Sequence, residues 1–427
     1  MILAGVLTAL AVAAWASGRV PEHLVALYFF AAAILLQVAP PAVVLSGFTS
    51  GALWLIFGGQ LMGAAIKHTG LAERLAGGAL RTLGGESYGR VVAGMVALGT
   101  GLSFVMPSAM GRVVLLVPIA AAVAERCGLG ARDRGRTGIL LAAAFGTTVP
   151  AFSILPSNVP NAVLLGGAEA LGVTIGYLEY LALHFPVLGL LRALLLAALL
   201  PRLFPAAIAG GNGAGKAAAP WSRREVAVSA LVGLALLLWA TDALHGIPAA
   251  WVSLAVGLLV LVPQAGLVPP RAFQEQVSYA SLFFVAGVIG VGAVLGHSGA
   301  AVALGRALGG ALPFAPGSPA LNFASLAALG AALALFTTAP GLPAVMTAMA
   351  GWLSGVTGLP AKTVLMAETL GYGNNLLPYQ SPPLVVAAQL GGLPVGATSR
   401  VSVLLFGLTA AVVLPLDYLW WRMLGWL

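Results

Sequence analysis

The chain has 427 residues, 60% of them apolar and only 7% charged, with a formal net charge of +8. Soluble globular proteins are about a quarter charged, so this composition excludes an ordinary soluble enzyme and a disordered chain. The single cysteine, Cys127, excludes a disulfide framework within the chain.

Apolar stretches recur at the length of a membrane crossing. They predict spans over 2–17, 24–39 and 50–66, then a pair of limbs at 91–106 and 113–124 with a break between them. An interrupted span over 138–170 and a long one over 180–200 follow. Residues 206–222 are rich in Gly and Ala and read as a flexible linker. The pattern restarts with 226–241, 246–263 and 280–296, a second pair of limbs at 320–336 and 342–354, a second interrupted span over 362–390 and a last one over 400–421. Trp15-Ala16-Ser17 ends the first run with no positive charge before it, so 2–17 is expected as an uncleaved helix rather than a signal peptide.

If each limb pair enters and leaves on one side, most of the 20 basic residues fall on one face, Arg19, Lys67, Arg74, Arg134 and Arg271 among them. Only Arg306, Lys362 and Arg422 fall on the other. The bias predicts a cytoplasmic linker, external termini and a cell inner (plasma) membrane. The positive charge therefore reflects topology, and no nucleic-acid partner is expected.

The two halves repeat each other. Phe57-Gly58 through Met62-Gly63-Ala64 matches Ala286-Gly287 through Val291-Gly292-Ala293, and His68-Thr69-Gly70 matches His297-Ser298-Gly299. The expected architecture is an all-α polytopic membrane protein of two repeats, 1–205 and 226–427, joined by a linker over 206–225. Each repeat has five crossings, a re-entrant hairpin and a broken helix. Five is odd, so the second copy is expected inverted, as in secondary transporters.

Four places interrupt apolar segments with proline and small polar residues. They are the hairpin tips Met106–Arg112 and Phe336–Pro343, and the breaks Leu155–Asn161 and Leu377–Pro383. Proline breaks the helical ladder, and non-helical backbone at membrane depth survives only inside protein or beside a cavity. Free amides at half-helix N-termini attract anions and freed carbonyls hold cations. Arg112, four residues after Ser108, is expected as a fixed positive charge for a carboxylate, sulfate or sulfonate, with snorkelling to the cytoplasm as its bland alternative. Glu368 is read as a proton carrier or an edge carboxylate near Lys362. Arg192 is expected to pair or snorkel, and His68 and His297 to lie at the surface. There is no metal-ligand spacing, phosphate loop or nucleophile–base pattern. An intramembrane enzyme is the weaker reading, since position 374 after Gly371-Tyr372-Gly373 is Asn, and no motif supports a channel.

Leu71-Ala72-Glu73-Arg74-Leu75-Ala76 after Lys67-His68-Thr69-Gly70, Leu115-Leu116-Val117-Pro118-Ile119 after the first tip, Val159-Pro160-Asn161 and Ser381-Pro382-Pro383 together resemble the divalent anion:sodium symporter family. The resemblance runs over nearly the whole chain. It implies a secondary active transporter of dicarboxylate, citrate, sulfate or a related oxyanion, cation-coupled, working by alternating access as a homodimer. A proton-coupled carrier or exporter of another anion such as a sulfonate is the alternative. The implied substrate ligands are Ser108, Arg112, Asn158, Pro160, Asn161, Thr338, Ser381, Pro382 and Pro383. The implied coupling-ion ligands are Ser108, Ser157, Thr337, Thr338, Gln380 and Glu368. No cofactor is implied beyond Na+ or H+. The family's Ser-Asn-Thr triplet at each tip is here Ser108-Ala109-Met110 and Thr338-Ala339-Pro340. Both asparagines are gone, so weak sodium dependence is expected, with protons as the driver.

Overall fold

The fold comes from a computed structural model that describes residues 1–17, 19–83, 87–208, 220–309 and 312–427. Most of the expected linker, residues 209–219, lies outside the described residues. Among those described there is no strand.

The first half runs α1 (Ile2–Ser17), α2 (Glu22–Leu35), α3 (Gly51–His68), α4 (Leu71–Leu83), α5 (Tyr88–Val105), α6 (Ala109–Arg126), α7 (Arg134–Thr148), α8 (Val159–Ala170) and α9 (Tyr177–Leu203). The second half runs α10 (Arg223–Ala240), α11 (Ala249–Val260), α12 (Tyr279–His297), α13 (Ala300–Gly309), α14 (Pro319–Ala334), α15 (Gly341–Thr357), α16 (Ala361–Tyr372), α17 (Pro382–Gly391) and α18 (Val395–Met423). The same order of elements recurs. α5, α9, α12 and α18 are each long and apolar enough to cross a bilayer alone. α15 and α16 meet at a bend of 117°.

Hydropathy missed α4 and α13. Both follow a turn in which glycine takes a left-handed conformation, Gly70 at φ 80° and Gly299 at φ 73°. This is the glycine end of a helix, and it explains why His68-Thr69-Gly70 and His297-Ser298-Gly299 match. α4 is amphipathic, so an apolar-run criterion passes over it. Arg74 of α4 reaches the second half: its Nε–Oε1 distance to Glu225 is 2.6 Å, and its guanidinium lies 4.8 Å from the Trp221 ring centre.

The halves interlock reciprocally. α3 packs on α11, and α12 packs on α2. The α3–α11 crossing is close because Gly58 lies against the Ser253 backbone and Gly257 against Gly58. Within each half, the first hairpin limb crosses the first broken segment, α5 on α7 and α14 on α16. The second broken segment then packs on the other half's hairpin: α17 on α6, and α8 on α15. One apolar core surrounds the first hairpin and takes in Leu384 and Ala387 of α17. The other surrounds the second hairpin and takes in Ala162 and Leu164 of α8. Apolar side chains such as Leu10, Leu35, Leu194, Leu237 and Leu419 stand exposed on the outer helices, as a hydrocarbon surround allows.

α9 and α18, the last helix of each half, each widen into a π-helical turn, at Phe185–Leu191 and Thr409–Val413. Pro186 and Pro415 lie in or just after these turns and remove a backbone donor where the ladder widens.

Candidate functional site

Both hairpin tips and both breaks open onto one cavity of about 410 Å³. The first tip contributes Met106 to Gly111, the first break Asn158 to Pro160, the second tip Ala339 and Pro340, and the second break Ser381 to Pro383. These segments lead directly into α6, α8, α15 and α17. Four helix N-termini therefore converge on one space, each with the positive end of its dipole; the first-turn amides of α15 and α17 are bonded to Thr338 O and Ser381 O or replaced by proline.

Two of these ends are capped from within. Ser108 Oγ accepts from the Gly111 amide at 3.1 Å, and Asn158 Oδ1 accepts from the Asn161 amide at 3.0 Å. The Asn158 Nδ2 group is buried and has no hydrogen-bond partner among the described residues. The prolines Pro160, Pro382 and Pro383 bring rigid edges but no amide donor. Ile56, Met106, Met110, Val114, Phe152 and Phe284 make the remaining walls strongly apolar. The mouth carries Lys67, Gln276 and Ser278, all exposed, with Gln60 and Glu22 beside them. Gln60 Oε1 accepts from the Ser278 amide at 2.5 Å, closing α12 onto α3 at the rim.

The other residues singled out from sequence stand behind the cavity. Asn161 is fully buried: its Nδ2 donates to Ile154 O at 2.9 Å and Ala151 O at 3.4 Å, and its Oδ1 accepts from Tyr180 Oη at 3.2 Å. Tyr180, Thr369 and Tyr372 complete a hydroxyl cluster at 2.9–3.1 Å. Arg112 neither lines the cavity nor snorkels. Its side chain is 0% exposed, and its guanidinium donates to Thr147 Oγ1 at 2.8 Å, Thr147 O and Ser157 O at 3.1 Å, and the Met106 carbonyl. Sequence expected a direct anion ligand there; the backbone carbonyls freed by the tip and the break capture the group first.

The second half is tied differently. The Ala339 amide donates to Gln380 O at 2.8 Å, and Gln380 Nε2 to Ala334 O at 2.6 Å. Thr337 Oγ1, Thr338 Oγ1, Asn374 Oδ1 and Asn375 Oδ1 are buried there without partners among the described residues, as is Ser157 Oγ in the first half. Glu368 is also 0% exposed and accepts from Thr347 Oγ1 at 3.0 Å on both oxygens. It is not an edge carboxylate near Lys362, whose Nζ pairs with Glu179 at 2.6 Å. Arg192 is buried and donates to Gly373 O of the second break at 2.7 Å. His68 and His297 are exposed.

Of the expected ligands, Ser108, Asn158, Pro160, Ser381, Pro382 and Pro383 line the cavity. Arg112, Ser157, Asn161, Thr337, Thr338, Gln380 and Glu368 do not. Sequence reasoning missed Glu22, Gln60, Gln276 and Ser278, and used Lys67 only as a marker of sidedness. Glu22, Lys67, Gln276 and Ser278 sit at or beside helix ends, where a polar residue is ordinary and carries no local signal; Gln60 stands in the middle of α3.

A family model described as the sodium:sulfate symporter transmembrane region matches residues 1–427. A protein described as a membrane protein from Cupriavidus necator strain H16 is 29% identical over 405 residues, covering 90% of this chain and 77% of that one. Among solved structures, the YdaH transporter of Alcanivorax borkumensis, described as having an unusual topology, superposes with a TM-score of 0.57 at 16% identity. The match covers 90% of this chain and 88% of that one. At that identity the likeness speaks for the fold. With the family model covering every residue, the chain is an integral membrane protein that belongs to the sodium:sulfate symporter family.

Proposed function

We propose that the protein is a secondary transporter of small organic anions, with the substrate held where the four helix N-termini meet. The observation that carries this reading is the convergence of both tips and both breaks on one cavity. The anionic head is placed at the α6 and α8 N-termini, where the Asn158 Nδ2 donor is free and the helix dipoles favour negative charge. The apolar walls favour a substrate with a hydrocarbon body, such as an alkyl or aryl carboxylate or sulfonate, over bare sulfate. A volume of about 410 Å³ is in the range of small-molecule pockets.

The two halves are read as inverted repeats. The mouth bears Lys67 and lies toward the chain's basic face, so this conformation is read as open to the cytoplasm. Transport proceeds by alternating access, with hairpins and broken helices moving against α2, α3, α11 and α12. Coupling is assigned to one mobile cation in the second half, where the four buried unpartnered oxygens offer neutral ligands. Glu368 supports a second reading, a proton carried on its carboxyl, because its one hydrogen-bond partner among the described residues is the Thr347 hydroxyl.

The test is uptake of labelled anions into proteoliposomes with sodium and proton gradients varied separately. Sodium-driven uptake is expected to fall at least about tenfold in Thr338→Val, which removes one oxygen ligand at a cost of about 1.5–3 kcal/mol. If protons drive uptake instead, Glu368→Gln removes the pH dependence and spares substrate binding.

A further inference from the structure

The Arg112 guanidinium lies at the junction of three segments that are otherwise separate: the first tip, the end of α7 and the first break. It donates to Met106 O, Ser157 O and both oxygens of Thr147. No carboxylate lies within salt-bridge distance of it among the described residues. The positive charge is thus met by three backbone carbonyls and one hydroxyl, neutral dipoles only, as a desolvated inorganic cation is when it sits among unwound backbone carbonyls. An unpaired charge in a fully buried place is costly unless such ligands surround it.

Among the described residues the second half has no side-chain cation in the equivalent place. Arg112 is the fourth residue of α6, and the fourth residue of α15 is Ala344. There the Ala339 amide of the tip donates to the backbone carbonyl of Gln380 in the break, the neutral Gln380 side chain donates to Ala334 O at the end of α14, and Thr337, Thr338, Asn374 and Asn375 keep oxygens without partners among the described residues. One half of the framework has a side-chain cation held between its tip and break, beside one unpartnered hydroxyl at Ser157, and the other has four buried side-chain oxygens and no such cation among the described residues. Arg192 does not restore the balance: it reaches the second break through one bond, to Gly373 O, and leaves those oxygens unpartnered.

We propose that Arg112 is a tethered cation that permanently fills the cage between the first tip and the first break, so that this half works without a mobile cation. Its charge also lies one helical turn from the Ser108 cap and supports the anion end of the cavity from behind. The inference rests on the transport reading for its functional meaning, but its central test needs no substrate.

The experiment measures melting of the purified full-length protein in choline, sodium and millimolar guanidinium chloride, with anion uptake in parallel. Wild type melts at the same temperature with and without guanidinium. Arg112→Ala melts several degrees lower in choline and loses uptake. Guanidinium restores both, because the free ion re-enters the vacated cage. Arg112→Lys keeps part of both properties with no added ion, and the neutral Arg112→Met keeps neither. If Arg112→Ala yields no folded protein, Lys melting above Met carries the proposal and equal melting of the two overturns it. An Arg112→Ala protein that melts and transports like wild type in choline overturns it, as does one whose deficit is the same in all three salts. Absence of wild-type uptake with the guanidinium rescue of melting intact would overturn the transport reading alone.

Discussion

Asn158 and Asn161 are three residues apart and do different work. Asn158 lines the cavity with a free amide; Asn161 turns inward and holds the carbonyls of Ala151 and Ile154. Asn161→Ala leaves those carbonyls and the Tyr180 hydroxyl short of a partner, a loss of about 1–3 kcal/mol. It is expected to lower the melting temperature while leaving the affinity of any protein that folds close to wild type. Asn158→Ala removes a cap, about 1 kcal/mol, and also the donor placed at the anion. It is expected to weaken anion affinity by an amount that cap loss alone does not explain. Melting curves and equilibrium binding on both variants check the contrast; equal affinity losses would contradict it. The same pair shows what the sequence makes legible. Val159-Pro160-Asn161 marks a break, because proline and asparagine have one meaning inside an apolar run. Which asparagine faces the cavity depends on the rotation of α8, and a segment flanked by irregular backbone has no period from which to read that rotation. Arg112 was misplaced for a similar reason: its spacing from the tip was plain, but two of the three carbonyls that capture it come from Thr147 and Ser157, 35 and 45 residues away.

At the scale of elements, each hairpin is locked to its own broken helix by small residues. A Cβ on Gly99 would come within 2.7 Å of the Gly146 backbone, and one on Gly330 within 2.7 Å of Gly371 Cα. Backbone cannot yield as a side-chain tip does, so Gly99→Val and Gly330→Val force the helices apart. Each is expected to cost at least about 1–3 kcal/mol and to lower the melting temperature. Gly233 on α10 has nothing within 4 Å of its Cβ position, and Gly233→Ala is expected to be neutral or stabilising by up to about 1 kcal/mol. A Gly330→Val protein as stable as Gly233→Ala would contradict the packing described here. The spans themselves were legible because their cores are uniformly apolar; 50–66 and 280–296 differ from α3 and α12 by a residue or two at each end. α4 and α13 were not, since a surface helix beside a membrane carries a stripe rather than a run.

For the whole molecule, the direction of the cavity depends on which face is cytoplasmic. Cys127 closes α6 on the basic face, partly buried. Burial pushes its thiol up from the usual range, so the reactive thiolate is scarcer near neutrality and labelling is expected to rise as pH is raised through and above the ordinary thiol pKa. In oriented vesicles a membrane-impermeant maleimide is expected to reach it only from the cytoplasmic side; labelling only from outside would invert the topology and the sense of opening. Mass measurement in detergent tests the homodimer that family resemblance implies, and a strictly monomeric protein would contradict it. The central claim is that the space between the two tips and the two breaks is the anion site. Ala109 lines it without being fully buried, so Ala109→Trp fills the cavity at modest cost to the fold. The decisive measurement is equilibrium binding of an aryl carboxylate or sulfonate to purified wild-type and Ala109→Trp protein with matched melting temperatures. Loss of saturable binding in the variant is the result predicted, and binding of unchanged affinity would contradict the account.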